Sequence, residues 1–102
     1  MSSVLSKIKT SLRITHTALD QDLADSISAC LADLRMLGIR EEKLVTSPEV
    51  DPLILSALKL YVKGEYTDDT AKAARYIAGY DSLKSCLMMA EGYGREEDST
   101  DE

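Results

Sequence analysis

The sequence predicts an all-α fold of four helices, one short N-terminal helix and three longer ones. Three observations predict it. Apolar residues recur at three- and four-residue steps in four separate stretches. Gly38, Pro48, Pro52, the Thr67-Asp68-Asp69-Thr70 cluster and Gly92 stand at the borders of those stretches, as breakers do. No run alternates apolar and polar residues as a half-buried strand would, and no internal repeat is visible.

The first helix is expected over about Ser3–Leu12, with Val4, Leu5, Ile8 and Leu12 on one stripe. A helix this short is marginal unless it packs against something. It carries Lys7 and Lys9, with Arg13 just beyond, and no acid.

The second is expected over about Ala18–Leu37. Leu19, Leu23, Ile27, Leu31 and Leu34 form a clean apolar face. Thr17 is its expected N-cap, and Asp20 and Asp22 suit the positive end of the helix dipole. Gly38 is the expected left-handed residue after the last turn, with Ile39 folding back on Leu34. A connection of about a dozen residues follows, Ile39–Val50, read equally as a plain surface connector or as a contact loop.

The third helix has a sharp start: Asp51 caps it and Pro52 occupies the first turn, where a missing N–H does no harm. It is expected to reach Tyr66. Leu53, Ile54, Leu55, Ala57, Leu58, Leu60, Tyr61 and Val62 cover most of its circumference. Such a helix is central in the fold or shared with a neighbouring subunit.

The fourth helix is expected over about Thr70–Glu91. Its main stripe is Ala73, Tyr76, Ile77, Tyr80, Leu83, Leu87 and Met88, and Gly92 ends it with Tyr93 folding back on Met88. Gly79, Cys86 and Ala90 lie on another face. A mid-helix glycine costs about 1 kcal/mol against alanine, a loss that close packing on another backbone would offset. That backbone belongs either to the same chain or to a neighbour.

Composition supports one folded domain, residues 1–94, and a tail, 95–102. The chain of 102 residues is 44% hydrophobic and 29% charged, ordinary for a globular protein. Its net charge of −6 is uneven. The tail holds five acids and one base, a charge of −4, which leaves −2 for the other 94 residues. The body is nearly balanced, and the tail reads as a mobile, solvated acidic segment. Neither uniform attraction to DNA nor uniform repulsion follows.

Catalytic and metal-binding patterns are missing. Cys30 and Cys86 are far apart and read as two free thiols in a reducing compartment. The single histidine, His16, cannot supply a metal site and reads as a surface residue near a helix cap. There is no glycine-rich phosphate loop, no G-x-S-x-G and no H-E-x-x-H. The paired acids sit at helix starts or in loops, where capping and solvation account for them. No cofactor or small-molecule substrate is expected, and no enzyme. The N-terminus shows no signal-peptide pattern and no run is apolar enough to span a membrane.

The five tyrosines, Tyr61, Tyr66, Tyr76, Tyr80 and Tyr93, all fall in the second half. Tyr61, Tyr76 and Tyr80 read as core aromatics with hydroxyls at its edge. Tyr66 and Tyr93, at helix ends, read equally as subunit contacts. The candidate subunit-interface residues are thus Leu55, Tyr66, Gly79, Cys86, Ala90 and Tyr93. Lys7, Lys9 and Arg13 are candidate weak DNA-facing residues, although a solvated face explains them more simply.

The order of these pieces is familiar. Leu12-Arg13-Ile14 closes a short helix; Asp22 and Ile27 lead to Gly38-Ile39. Asp51-Pro52-Leu53-Ile54 precedes Ala57-Leu58-Lys59-Leu60-Tyr61-Val62-Lys63. Tyr80-Asp81-Ser82-Leu83-Lys84 leads to Leu87-Met88-Met89 and Gly92-Tyr93. Over about residues 3–93 this series resembles the head–tail connector, or DNA-packaging adaptor, family of long-tailed bacteriophages and prophages. The resemblance implies a structural subunit, made in the bacterial host cytoplasm and placed at the head–tail joint of the virion. It implies a ring of about twelve copies beneath the portal protein, with tail or tail-completion proteins docking below. Genomic DNA would pass through without sequence-specific binding. No catalytic residue transfers with the resemblance, and the acidic segment Arg95–Glu102 departs from it. The competing reading is a small helical regulatory or adaptor module that binds a single protein partner.

Overall fold

In the computed structural model, described over residues 2–46, 49–90 and 92–94, the four expected helices form. They are α1 (Ser2–Leu12), α2 (Asp20–Leu37), α3 (Pro52–Tyr66) and α4 (Thr70–Met89). Among the described residues there is no strand; Ile39 and Gly94 make one isolated antiparallel bridge. The acidic segment 95–102 lies outside the described residues, as do residues 47, 48 and 91.

The nearly all-apolar α3 is the axis of the fold. It packs against α1, α2 and α4. Ile54, Ala57, Leu58 and Val62 are buried, and Leu55, Leu60 and Tyr61 are half-buried against the same core. Its wide apolar surface is therefore covered mainly by its own chain. Each fully buried leucine or isoleucine here contributes about 1.5–3 kcal/mol. Val4 and Ile8 bring α1 onto this core, and Leu23, Ile27, Cys30 and Leu34 bring α2. Cys30 takes a core position that the four-residue leucine stripe left to Leu31, which lies on the flank.

Most helix ends follow local chemistry. Asp51 Oδ2 accepts from the N–H groups of Leu53 (3.0 Å) and Ile54 (3.3 Å), with Pro52 in the first turn. Asp69 Oδ1 does the same for Ala71 (2.9 Å) and Lys72 (3.1 Å) at the start of α4. Gly38, at φ +112°, ends α2. Its N–H donates to the Arg35 carbonyl and that of the buried Ile39 to the Leu34 carbonyl, each at 3.1 Å. This is the Schellman closure expected there.

α1 closes in the same pattern with a residue unsuited to it. Arg13 lies at φ +62°, in the left-handed region. Its N–H donates to the Thr10 carbonyl (3.1 Å) and that of Ile14 to the Lys9 carbonyl (2.9 Å).

Three expectations are corrected. α2 begins at Asp20, not Ala18, and Thr17 is not its cap; Leu19 holds that position without a side-chain bond. The reason is a preceding turn, in which the Asp20 N–H donates to the Thr17 carbonyl (3.1 Å) and that of Ala18 to His16 Nδ1 (3.3 Å). α4 ends at Met89, and the Tyr93 N–H does not make the expected Schellman bond to the Met88 carbonyl. That N–H reaches the Ala90 carbonyl (3.3 Å) and the Tyr93 ring turns to Asp51. Finally, the 39–50 connection is not a bare surface loop: Ile39, Leu44 and Val50 are buried around a 3₁₀ turn at Glu41–Lys43.

Candidate assembly surfaces

Two polar clusters fix how the helix ends and faces are presented. The first joins α2 to α4. Tyr80 is nearly buried, and its hydroxyl donates to Asp33 Oδ2 at 2.7 Å. Lys84 Nζ donates to the same oxygen at 3.2 Å and lies 4.8 Å from the centre of the Tyr80 ring. Cys30 Sγ donates to the Tyr80 oxygen at 3.5 Å. The Tyr61 ring meets that of Tyr80 edge-on, centroids 5.3 Å apart. The Tyr80 hydroxyl and then the Lys84 ammonium hold the Asp33 carboxyl below the usual carboxylate range. Burial pushes the Cys30 thiol up to about 12. The Tyr80 phenol is raised, first by burial and then by its bonds to Cys30 and Asp33. These groups brace the bundle, and Tyr61 and Tyr80 also line a cleft with Gly64, Glu65, Ile77 and Asp81.

The second cluster ties the chain's last described residues to the start of α3. The Tyr93 hydroxyl donates to Asp51, Lys43 Nζ lies 4.8 Å from the Tyr93 ring centre, and it stands 3.9 Å from Asp51 Oδ1. Burial, then the bond to Asp51, raises the Tyr93 phenol. Arg40 secures the same segment: its N–H donates to the Tyr93 carbonyl (2.8 Å) and its Nε to the Gly94 carbonyl (2.7 Å).

The candidate interface residues separate into two groups. Gly79 and Tyr93 have neighbours within the chain. A Cβ on Gly79 would stand 3.4 Å and 3.6 Å from the Leu60 methyls of α3, so α4 approaches a side chain there and not a backbone. Cys86 is exposed and Ala90 half-buried. Leu55 and Tyr66 are half-buried and line two open clefts beside α1.

The α4 stripe is only partly used. Tyr80 and Leu87 are buried, whereas Ile77 is 54% exposed, Met88 52% and Met89 84%. Ala74, Ala78 and Cys86 are exposed on the same helix. Sequence periodicity assigned Ile77 and Met88 to the core. The core is filled before α4 has used its full apolar width, and the surplus faces outward.

The candidate DNA-facing residues also diverge. Lys9 Nζ pairs with Asp20 Oδ1 at 2.7 Å, with its side chain only 15% exposed, so it is taken up inside the chain. Lys7 lines the cleft of Leu55, with Ser6, Thr10 and Lys59. Arg13 lines the cleft of Tyr66. Lys63 and Lys72 complete that second cleft, although their sequence spacing is that of ordinary solvated helix lysines. Among the described residues no group of histidine, cysteine and acid is arranged to hold a metal ion, and no helix is long and apolar enough to cross a membrane.

Comparison with known proteins agrees with this helical body. A family described as phage connector protein matches residues 4–94, from the first buried residue of α1 to the glycine that pairs with Ile39. No curated protein and no solved structure matches the chain. With four helices in place and the match running from α1 to the last described residue, the chain belongs to the phage connector protein family.

Proposed function

We propose that copies of this chain close into a ring at the head–tail joint of a tailed phage, with genomic DNA passing through the ring. The family is a structural one whose setting is the phage particle. In this reading the assembly partners are the portal protein on one side and a tail or tail-completion protein on the other. The ring holds about twelve copies, joined by a repeated head-to-tail contact that closes on itself.

The observation that carries the reading is the outward face of α4. Ile77, Met88 and Met89 are large, apolar and exposed, and small Ala74 and Ala78 leave room for close approach. Exposed apolar surface of this kind marks an interaction site. A neighbouring copy covers it without changing the fold of either. Leu55, Tyr66, Cys86 and Ala90 remain interface residues in this reading; Gly79 and Tyr93 serve packing within the subunit.

Mass measured by light scattering after size exclusion tests the proposal. The wild type is expected as a closed ring-sized species, alone or on adding the portal protein. Ile77→Asp is expected to remain monomeric with unchanged helical circular dichroism. A wild type that stays monomeric at every concentration, with and without portal, overturns the ring.

A further inference from the structure

The second cleft has an unusual composition. It has a volume of about 510 Å³ and is lined by the end of α1 (Ser11, Leu12, Arg13), the end of α3 (Lys63, Tyr66, Thr67) and the start of α4 (Lys72, Tyr76). Three cations line it and no acid does. Among the other cations, Lys9 pairs with Asp20, Lys84 with Asp33 and Asp81, Lys43 with Asp51 and Arg40 with Glu42. Arg13, Lys63 and Lys72 have no carboxylate partner among the described residues. Of the acids near them in sequence, Glu65 accepts from the Ser26 hydroxyl and Asp69 caps α4. Lys63 instead lies 5.8 Å from the Tyr76 ring centre.

We infer that this cleft receives the acidic segment Glu96-Glu97-Asp98 of a neighbouring copy. Three cations face three acids, and the remainder of the chain is itself slightly acidic, which disfavours a polyanion as large as DNA. Reach decides which copy supplies the segment. Gly94 is held beside Ile39 and Arg40, and Tyr93 is held on Asp51, at the start of α3. The cleft lies at the other end of that helix, 15 residues on, roughly 22 Å at 1.5 Å per residue. Asp98 is four residues past Gly94, a span of at most about 13–14 Å. Residues 96–98 therefore fall short of their own cleft, and only Asp101 and Glu102, seven and eight residues past Gly94, have the length to reach it. A copy that presents its α3 C-terminal end to its neighbour's α3 N-terminal end brings the two together, and that contact is the head-to-tail kind that closes a ring. This inference rests on the ring reading for its geometry, while its binding test does not.

The test titrates a fluorescent peptide of residues 92–102 into full-length protein whose own segment is neutralised by E96Q, E97Q and D98N. Saturable binding is expected, weakened by salt and weakened about tenfold or more by K63E with K72E, the size of two or three exposed ion pairs. A peptide carrying Lys at 96 and 97 is expected to bind the K63E/K72E protein and not the parent. Absence of saturable binding, or binding that K63E/K72E leaves unchanged, overturns the inference whatever the oligomeric state. Tighter binding of a short DNA duplex than of the peptide, lost in K63E/K72E, overturns it in favour of DNA. Conversely, a monomeric wild type that still binds the peptide retains the pairing and overturns only the ring.

Discussion

The Tyr93 hydroxyl donates to both oxygens of Asp51, at 3.1 Å and 2.9 Å, while Asp51 Oδ2 also caps α3. One carboxylate thus starts the central helix and anchors the end of the described chain. Removing it loses a helix cap, worth about 1 kcal/mol, together with a charge-assisted hydrogen bond of about 1.5–3 kcal/mol. Asp51→Ala is expected to cost about 2–4 kcal/mol and Tyr93→Phe about 1–2 kcal/mol. In urea unfolding the double variant should be less destabilised than the two single costs combined, because they share one bond. Strict additivity would show that the bond carries no coupling. Hydrogen exchange at Arg40, whose N–H donates to the Tyr93 carbonyl, should accelerate in Tyr93→Phe.

Tyr80→Phe removes the donor to Asp33 and the acceptor for Cys30 together. A loss of about 2 kcal/mol is expected from a hydrogen bond to a charged group. Chemical denaturation measures it. The ring contact with Tyr61 persists in phenylalanine, so a much larger loss would point to a packing change instead.

The same cluster sets the pH limits of stability. Asp33 titrates below its ordinary value when folded, so the folded state holds fewer protons there in acid. Its contribution is present above about pH 3.9 and is lost as pH falls below it. Cys30 behaves in the opposite sense. Its contribution is complete below the ordinary thiol value of about 8.5 and is lost as pH rises toward about 12. Unfolding midpoints measured between about pH 3 and pH 10 should fall at both ends. Asp33→Asn should flatten the acid limb, and Cys30→Ala the alkaline one. An acid limb unchanged by Asp33→Asn would assign that dependence to other carboxylates.

Arg13 closes α1 at φ +62°, where a side chain costs about 1–2 kcal/mol and glycine costs little. Glycine also gains backbone freedom when unfolded, so Arg13→Gly is expected to stabilise by a net of about 0.5–1 kcal/mol. Thermal melting reads this directly. The same change should weaken the titration of the acidic peptide, because Arg13 lines the cleft. A variant that gains stability and loses peptide affinity shows why a strained arginine is useful there.

Gly79 sits opposite Leu60, and the 3.4 Å left to an added methyl is ordinary contact. Gly79→Ala should therefore recover helix propensity and stabilise by up to about 1 kcal/mol. Gly79→Leu has no such room and should destabilise by about 1–3 kcal/mol through overpacking. Equal effects of both, followed by thermal melts, would mean that α3 and α4 are not in close register at this point.

The order of pieces along residues 3–93 carries the family, and local features are equally legible in the sequence: the helix borders, the left-handed close at Gly38 and the Asp51–Pro52 start. Each depends on residues within about one turn of each other, where side-chain type alone decides which backbone groups find partners. For α3 the sequence left two readings, central in the fold or shared with a neighbouring subunit, because a helix apolar on nearly every side needs neighbours on every side. The tertiary structure decided the rest. Tyr80 meets Asp33 across 47 positions and Tyr93 meets Asp51 across 42. Periodicity marks which face of a helix is apolar, but not the depth or rotation at which that face meets another helix. For that reason Ile77 and Met88, on the predicted stripe, stand outside the core, whereas Cys30, off it, lies inside. For the same reason Lys63 and Lys72 looked like ordinary solvated lysines until the ends of α1 and α3 brought them beside Arg13.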